Sequence, residues 1–155
     1  MGAEIGASPV VSSEIEKIYI NFLSATCPEL VTNGKVGDDE HSWAVNGTSQ
    51  VAKHNGVCVL GRKTYKCKWK TGDVVGLVCD LDGMQIIVSV NGSFAPPNGL
   101  VFKLDPHVVQ RGLFAAFSSF TGRRGGELRY NLGQEPFKYA APSSDYVGFS
   151  QFADE

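Results

Sequence analysis

Short apolar runs closed by glycine-containing turn pairs set the strongest constraint on how this chain can fold. Residues 74–81 and 84–90 are two such runs, separated by Asp82-Gly83, and the second run ends at Asn91-Gly92. Asp-Gly and Asn-Gly are the pairs that best tolerate the positive φ angles of a type I′ turn. The stretch therefore predicts a β-hairpin with a tight turn at Asp82-Gly83 and a second tight turn at Asn91-Gly92.

The same kind of pattern predicts strands elsewhere in the chain. In GELRYNL and KCKWK, apolar and polar residues alternate, as they do in a strand with one buried face. The runs 74–81 and 112–120 are almost continuously apolar, which is expected for strands covered on both faces. Strands at this spacing predict an antiparallel sandwich or barrel rather than βαβ units. The candidate strands are residues 56–60, 66–70, 74–81, 84–90, 100–104, 112–120 and 126–132.

Residues 12–23, SSEIEKIYINFL, fit two structures. Apolar side chains recur at the helical spacing i, i+3, i+4, i+7 from Ile15, and Ser13 with Glu16 forms a capping box. Over residues 18–22, however, apolar residues also occupy every second position, and β-branched and aromatic types are frequent. The pattern alone leaves both strand and helix open.

Length and charge bound the function classes. A chain of 155 residues with 43% hydrophobic and 19% charged residues fits one globular domain that needs neither disulfides nor metal to hold a core. The net charge of −2 provides no whole-protein footprint for nucleic acid or a membrane surface. No apolar run approaches a membrane span, and the N-terminus has no signal-peptide pattern, so we expect an intracellular protein without a cofactor.

The cysteines are expected to be structural. Cys27, Cys58, Cys67 and Cys79 include no C-x-x-C pair, which the usual zinc sites require. We predict reduced, buried thiols, with a Cys58–Cys67 disulfide and a metal site as the minor alternatives.

Two formal N-glycosylation sequons begin at Asn46 and Asn91. Both have glycine at the middle position, which β-turns demand for independent reasons, and no signal peptide supplies the secretory context that glycosylation needs. We interpret both sequons as turns.

Three stretches carry candidate binding residues. VGDDEHSW places Asp38, Asp39, Glu40 and His41 in succession, but adjacent side chains in a turn rarely converge on a metal or a substrate, so a structural or binding loop is favoured over acid–base chemistry.

The most basic of the three stretches is RKTYKCKWK, residues 62–70. Its lysines are expected on the solvent face of a strand, where lysine protects sheet edges, and nucleic-acid binding is disfavoured.

The remaining stretch is TGRRGGE, in which Arg123 and Arg124 form a pair flanked by glycines. A phosphate loop would lead into a helix and end in Lys-Ser/Thr, whereas a strand is expected here, so the pattern disfavours nucleotide binding. At a loop tip the two arginines would grip an acidic partner peptide, although a merely solvated turn is the commoner case.

Four segments form a recognisable pattern by their order and spacing: GDDEHSWAVNG (37–47), WKTGDVVGLVCDLDGMQIIVSVNG (69–92), GLFAAFSSF (112–120) and LRYNLGQEPFKYAAPSSDY (128–146). Together they resemble the SPRY domain, and the similarity is to the SPRY domains of ryanodine receptors and of RING- and HECT-type ubiquitin ligases. The resemblance implies an all-β fold, a bent antiparallel β-sandwich of two sheets with concanavalin-like jelly-roll architecture. It also implies a non-catalytic protein-interaction module, part of a larger protein, whose loops at one end bind a peptide or a neighbouring domain. If the resemblance holds, IYINFLSA (18–25) matches a strand of the SPRY domain.

The chain also departs from the family pattern. Asn46 stands where an aspartate usually precedes the glycine, and no W-Y-Y-E-V-like first strand pair is found upstream of Glu16. We therefore expect residues 1–15 to be a disordered or divergent segment, residues 16–149 to form the sandwich and residues 150–155 to be a tail. A missing first strand would leave an unpaired edge through which the protein self-associates.

The residues expected to bind a partner lie in three loops: Asp38, Asp39, Glu40 and His41 in one, Arg62 in another, and Arg123 and Arg124 in a third. Asp73 and Asp80 are expected to hold turns and strand ends. A lectin-like carbohydrate binder is the first alternative function. A hydrolase is the second, and it requires Asp39 and His41 to converge with another acid. The aromatic residues assigned to the core are Trp43, Trp69, Phe114, Phe117 and Phe137.

Overall fold

The computed structural model describes residues 2–8, 18–24, 36–61, 63–107, 109, 113–119 and 129–148, with the backbone alone for the first two ranges and for residues 117–119. Within these residues the chain forms eleven β-strands and no helix, as the alternating pattern predicts. The strands are β1 (Gly2–Ser8), β2 (Ile18–Ser24), β3 (Ser42–Asn46), β4 (Val51–His54), β5 (Val57–Leu60), β6 (Val75–Asp80), β7 (Gln85–Val90), β8 (Gly99–Lys103), β9 (Leu113–Ser119), β10 (Arg129–Asn131) and β11 (Tyr146–Gly148).

The strands form two sheets, and each sheet with its loops makes a compact unit. Sheet A has the order β10-β1-β6-β7-β8, with β11 also paired to β1. Its ladders are antiparallel except for the short parallel pairing of β11 with β1. Sheet B has the order β5-β4-β3-β2-β9 and is antiparallel throughout. The assignment of Ile18–Ser24 as a strand rather than a helix is confirmed.

The strand β1 corrects the expectation for the N-terminal segment. Gly2–Ser8 pairs with β6 along one side, from Gly2↔Asp80 to Ala7↔Val75, and with β10 and β11 along the other. Of the two readings of residues 1–15, a disordered segment does not apply to Gly2–Ser8, and its place in sheet A fits a divergent first strand. Residues 9–15 lie outside the described part. Because β1 is an interior strand with neighbours on both sides, the unpaired edge that motivated self-association is not present at this position.

The turn at Asn91-Gly92 is of the predicted kind. Asn91 has φ 51° and Gly92 has φ 77°, and the flanking residues exchange backbone hydrogen bonds, 3.3 Å from Val90 N to Ser93 O and 3.1 Å from Ser93 N to Val90 O. Two successive residues with positive φ define a type I′ turn. The Asn91 amide adds two hydrogen bonds, because its Oδ1 accepts from Val74 N at 2.9 Å and its Nδ2 donates to Asp73 Oδ1 at 2.9 Å.

The tight turn predicted at Asp82-Gly83 is wrong. Asp80 pairs with Gln85, so a four-residue loop joins β6 to β7, and positive φ falls on Met84 at 50° instead. The Asp80 carboxylate explains the wider loop, since it accepts hydrogen bonds from Gly83 N and from Gln85 Nε2, both at 2.8 Å. Asn46 closes the β3–β4 loop in the same manner, with Ser49 N donating to its Oδ1 at 2.6 Å and Gln50 at φ 54°. Asn46 is fully buried, which supports the interpretation of its sequon as a turn.

Burial separates the expected core aromatics. Trp43 and Trp69 are buried as predicted, Phe137 is half-buried, and the side chain of Phe117 lies outside the described part. The assignment of Phe114 to the core is wrong, since 63% of it is exposed. Its strand β9 has β2 as its one neighbour among the described strands. The exposure of Phe114 shows that this position of β9 is not covered on both faces, contrary to the prediction from the apolar run. The expected inward direction of Tyr130 is also wrong, because this residue of β10 is 57% exposed.

The segment KCKWK does not form the predicted strand. Residues 65–70 belong to no sheet, yet their burial still alternates, with Tyr65 and Trp69 buried and the lysines exposed. The alternation of apolar and polar residues in KCKWK therefore predicts alternating burial correctly, although the segment pairs with no described strand.

The three described cysteines, Cys58, Cys67 and Cys79, form no disulfide, so the alternative Cys58–Cys67 bridge is not present. Cys79 is buried as expected, Cys67 is half-buried, and Cys58 is exposed, which corrects the expectation for that residue. Burial, with a smaller contribution from the Asp80 charge, raises the pKa of the Cys79 thiol to about 12. Cys27 lies outside the described residues.

Candidate functional site

The acidic loop, residues 36–41, enters strand β3 and lies against the β4–β5 turn. Gly56 N donates to Gly37 O at 3.0 Å, and Asn55 N donates to Asp39 O at 3.0 Å. Asn55 and Gly56 have φ 51° and 70°, a two-residue type I′ turn between the paired residues His54 and Val57. Two backbone hydrogen bonds therefore fix the acidic loop to a turn of sheet B.

Gly37 is the point of closest approach between the acidic loop and the sheet. Its φ is 95°, and a Cβ at this position would lie 2.8 Å from Ala44 Cβ and 3.2 Å from Lys53 O. Its backbone N donates to the hydroxyl Oγ of buried Ser42 at 2.7 Å. A side chain at residue 37 would therefore displace the loop. The glycine before the two aspartates was visible in the sequence, but the role of Ser42 carried no local signal.

Asp39 holds the acidic loop from within. Its Oδ1 accepts a hydrogen bond from His41 N at 2.8 Å, an Asx turn, and its backbone O accepts from Asn55 N. The carboxylate thus stabilises the bend of the chain, and the prediction of a structural loop fits Asp39 better than a gripping role does.

Asp38, Glu40 and His41 form the outer surface of the acidic loop. Asp38 Oδ1 lies 2.8 Å from Lys53 Nζ, and their side chains are 37% and 23% exposed. An ion pair this accessible to water contributes about 1 kcal/mol or less. Glu40 has the more exposed side chain, at 68%, with its Oε1 3.6 Å from His41 Nε2. Glu40 is therefore the carboxylate of this loop that a partner reaches most readily.

Beneath the acidic loop, Trp43 and His54 form a stacked pair. Their ring centroids are 4.9 Å apart and the rings are 5° from parallel. His54 Nδ1 lies 2.9 Å from Ser42 O, and because a carbonyl oxygen can only accept, the Nδ1–H is the donor. Trp43 is 1% exposed, so this indole is packing and offers no face to a ligand.

Strand β5, which follows the Asn55-Gly56 turn that holds the acidic loop, exposes apolar side chains. Val57 is 64% exposed and Val59 is 49% exposed. Residues 56–60 have the sequence pattern of an ordinary sheet strand, so nothing in the sequence marked Val57 or Val59 as exposed. We call Asp38, Glu40, His41, Val57 and Val59 together the loop–edge surface.

The remaining predicted residues divide into two groups. Arg62, Arg123 and Arg124 lie outside the described residues, so their binding role stays a prediction. Asp73 and Asp80 hold turns as expected: Asp73 Oδ2 accepts from Lys70 N at 2.7 Å, and Asp80 closes the β6–β7 loop. The hydrogen bond from Gly83 N, followed by that from the Gln85 side chain, lowers the pKa of the Asp80 carboxyl.

The described residues give little support to two kinds of site. In this part of the chain, no three His, Cys, Asp or Glu side chains are placed to hold a metal ion together. Among the same residues there is no helix that is both long and apolar enough to span a membrane.

Comparison with known proteins bears on the fold. No family model matches the chain. Among solved structures, the SPRY domain of human HERC1 is similar, with a TM-score of 0.64 and 17% sequence identity over 87% of this chain and 77% of that chain. The all-β class with two sheets, predicted from the strand pattern and the motif resemblance, is confirmed. The chain has the fold of a SPRY domain.

Proposed function

We propose that this chain is a non-catalytic protein-interaction module that binds a peptide or a neighbouring domain through the loop–edge surface. The observation that carries the proposal is the attachment of the acidic loop to the β4–β5 turn by the Gly37–Gly56 and Asp39–Asn55 hydrogen bonds. A loop held in this way loses little conformational entropy when a partner binds. The SPRY fold of the chain presents loops from a rigid scaffold, and this also supports a role in binding a partner.

The chemistry of the loop–edge surface suits a polypeptide. Glu40 provides an exposed carboxylate and Val57 an exposed apolar contact, both next to the fixed Asn55-Gly56 turn. A peptide with a basic side chain beside an apolar one would satisfy both groups. Such mixed contacts are typical of transient interfaces, where apolar anchors are surrounded by polar groups.

The two alternative functions are less well supported. A sugar site needs an aromatic face beside carboxylates, and the aromatic residue that follows the acidic loop, Trp43, is buried. A hydrolase needs Asp39 and His41 to act together. Here the Asp39 carboxylate bonds to the backbone N–H of His41, while the imidazole of His41 lies near Glu40. We therefore propose binding without chemistry.

We also propose that Arg62, Arg123 and Arg124 contribute to partner binding, and that the chain is one part of a larger intracellular protein. An intracellular location is proposed because the sequence shows no signal-peptide pattern at its N-terminus. The arginines are tested by charge reversal: Arg123→Glu/Arg124→Glu should lose partners that the wild-type chain retains in a pull-down. Identical partner sets would show that this loop does not bind.

The loop–edge surface is tested by selecting binders from a random peptide library displayed on phage, first on the wild-type chain and then on Glu40→Lys. Glu135→Lys is the matched control, because the Glu135 side chain is 69% exposed, against 68% for Glu40, and the two carboxylates lie at similar distances from a basic partner, 3.5 Å from Arg129 and 3.6 Å from His41. We expect the selected peptides to lose at least about tenfold in affinity on Glu40→Lys, which corresponds to about 1.4 kcal/mol, and to be unaffected by Glu135→Lys. Peptides that bind both variants as well as the wild type would refute the site.

A further inference from the structure

A second charged surface lies in the segment that follows β5. Lys63, Lys66 and Lys68, which we call the lysine strip, are all exposed. Tyr65, between them in the chain, is fully buried, and Cys67 is half-buried. The buried and half-buried side chains anchor the segment, so the lysines project from a fixed backbone rather than from a loose loop.

Within the part of the chain that the structure describes, no ion pair neutralises the charges of the lysine strip. Among the residues that the structure describes, the ion pairs involve Lys53, Arg129 and His41, and none involves a lysine of the strip. Residues 61–70 contain five basic residues and no acidic one, in a chain whose net charge is −2. The segment is therefore a local positive surface on a weakly acidic protein.

Edge protection does not account for these lysines. Lysine is common on exposed sheet edges because it prevents pairing with other chains. Residues 65–70, however, are in neither sheet and pair with no described strand, so there is no strand edge for them to protect. The explanation expected from the sequence pattern is removed by the structure.

Within the lysine strip, the spacing of Lys66 and Lys68 matches an extended polypeptide, whereas Lys63 lies in the turn that Gly61 O forms with Thr64 N and Tyr65 N. Lys66 and Lys68 flank Cys67 with the alternating burial of an extended chain, in which side chains two residues apart leave on one side about 6.6 Å from each other. An extended partner presents every second side chain at the same repeat. Carboxylates at alternate positions of a peptide would therefore meet successive ammonium groups.

Nucleic acid is a poorer match for this surface. Proteins that bind single strands combine lysines with exposed aromatic rings on which the bases stack. Tyr65 is 0% exposed and Trp69 is 5% exposed, so neither aromatic residue of this segment offers a ring face. What remains is a row of point charges, which suits carboxylates.

We propose that the lysine strip binds an extended acidic segment of a partner protein, with carboxylates at alternate positions. The proposal uses no residue of the loop–edge surface, so it stands or falls independently of that site. Because each contact is an exposed ion pair, binding should be weak and strongly dependent on salt.

The test measures the fluorescence anisotropy of a labelled peptide as the whole chain is titrated into it at low salt. The peptide carries fluorescein and alternates Glu and Thr over about twelve residues, a length that spans the lysine strip in extended form. A Gln-for-Glu version of the peptide is the uncharged comparison. Lys66→Glu/Lys68→Glu is compared with Lys103→Glu/Lys138→Glu, whose two lysines are also exposed. Each double variant moves the net charge from −2 to −6, because two substitutions each change it by −2. The pair thus separates position from total charge.

We expect Lys66→Glu/Lys68→Glu to weaken binding at least about tenfold, the control double variant to weaken it less than about threefold, and the Gln peptide not to bind. If the first variant fails to give a wild-type thermal unfolding curve, Lys66→Gln/Lys68→Gln replaces it. Equal losses in the two charge-reversed variants, or no binding by the wild type, would overturn the proposal. Tighter binding of oligothymidine or of phosphatidylserine vesicles, lost in the same variant, would overturn the choice of an acidic peptide.

Discussion

The attachment of the acidic loop leads to a sharp stability prediction at Gly37. Substituting alanine has two separate costs at this position. The φ of 95° lies in the left-handed region, where a side chain costs roughly 1–2 kcal/mol. The added Cβ would also lie 2.8 Å from Ala44 Cβ and 3.2 Å from Lys53 O, and overpacking of this kind costs about 1–3 kcal/mol. The expected loss of unfolding free energy is therefore roughly 2–5 kcal/mol.

Two further glycines separate these costs. Gly72 has φ 87° but nothing within 4 Å of an added Cβ, so Gly72→Ala should lose only the backbone cost, roughly 1–2 kcal/mol. Gly61 has neither a positive φ nor a neighbour within 4 Å. Gly61→Ala should be neutral or stabilising by about 0.4–1 kcal/mol, because alanine restricts the unfolded chain.

The measurement is urea unfolding followed by tryptophan fluorescence, since both Trp43 and Trp69 are buried. The predicted order of stability is Gly61→Ala, then Gly72→Ala, then Gly37→Ala. For the last variant the melting temperature should fall on the order of 10 °C, at about 2–4 °C per kcal/mol for a chain of this size. A loss at Gly37 within about 0.5 kcal/mol of the loss at Gly72 would refute the close contact between the acidic loop and the sheet.

Three further predictions concern the turns and thiols of sheet A and its neighbours. Because burial raises the pKa of Cys79 from 9.0 to about 12, iodoacetamide at pH 8 should modify the exposed Cys58 in the native protein and leave Cys79 unmodified until urea unfolds it. The stability that the buried Cys79 thiol contributes should also decline as the pH rises from about 9 to about 12. Replacing Asn91 with alanine should lower the unfolding free energy by about 2–3 kcal/mol, since two hydrogen bonds are lost and φ 51° becomes strained, whereas Asn91→Gly should recover about 1 kcal/mol of this in urea unfolding. The hydrogen bond from Gly83 lowers the pKa of Asp80, so this carboxylate stabilises the fold above its ordinary pKa and the stabilisation is lost as the pH falls through the lowered value; wild type should therefore lose more stability than Asp80→Asn between pH 6 and pH 3 in chemical denaturation. Equal acid sensitivity of the two proteins would contradict the assignment.

Local pattern was sufficient for much of the strand content. Residues 75–80, 85–90 and 113–119 are strands because apolar and β-branched residues there can bury a face only in extended form. The Asn91-Gly92 turn was equally predictable, since positive φ at two successive residues is a local property of those residue types. The motif resemblance, which depends on order and spacing along the chain, was enough to indicate the SPRY fold.

Other features depend on partners far away in the sequence. Gly2–Ser8 has small residues of low strand propensity, and it is a strand because β6 on one side and β10 and β11 on the other satisfy its backbone. The loop after Asp80 is wider than the Asp-Gly pair predicts because the carboxylate and Gln85 meet only once β6 and β7 are paired. Phe114 looks like a core residue in its apolar run, but it is 63% exposed, because burial depends on what packs over a strand and not on the strand's own composition.

The candidate site shows the same division. Charge pattern alone predicts that Asp38–His41 is an acidic, polar bend next to a strand, because consecutive charged residues beside a glycine cannot be buried in a core. It takes the folded chain to make Asp39 a structural carboxylate, to turn Glu40 to solvent, and to expose Val57 and Val59 on the strand that follows the turn holding the loop. The physical reason is that the Asn55-Gly56 turn meets the loop through backbone hydrogen bonds, and backbone groups are the same in every residue, so no side-chain pattern records which turn will be the partner.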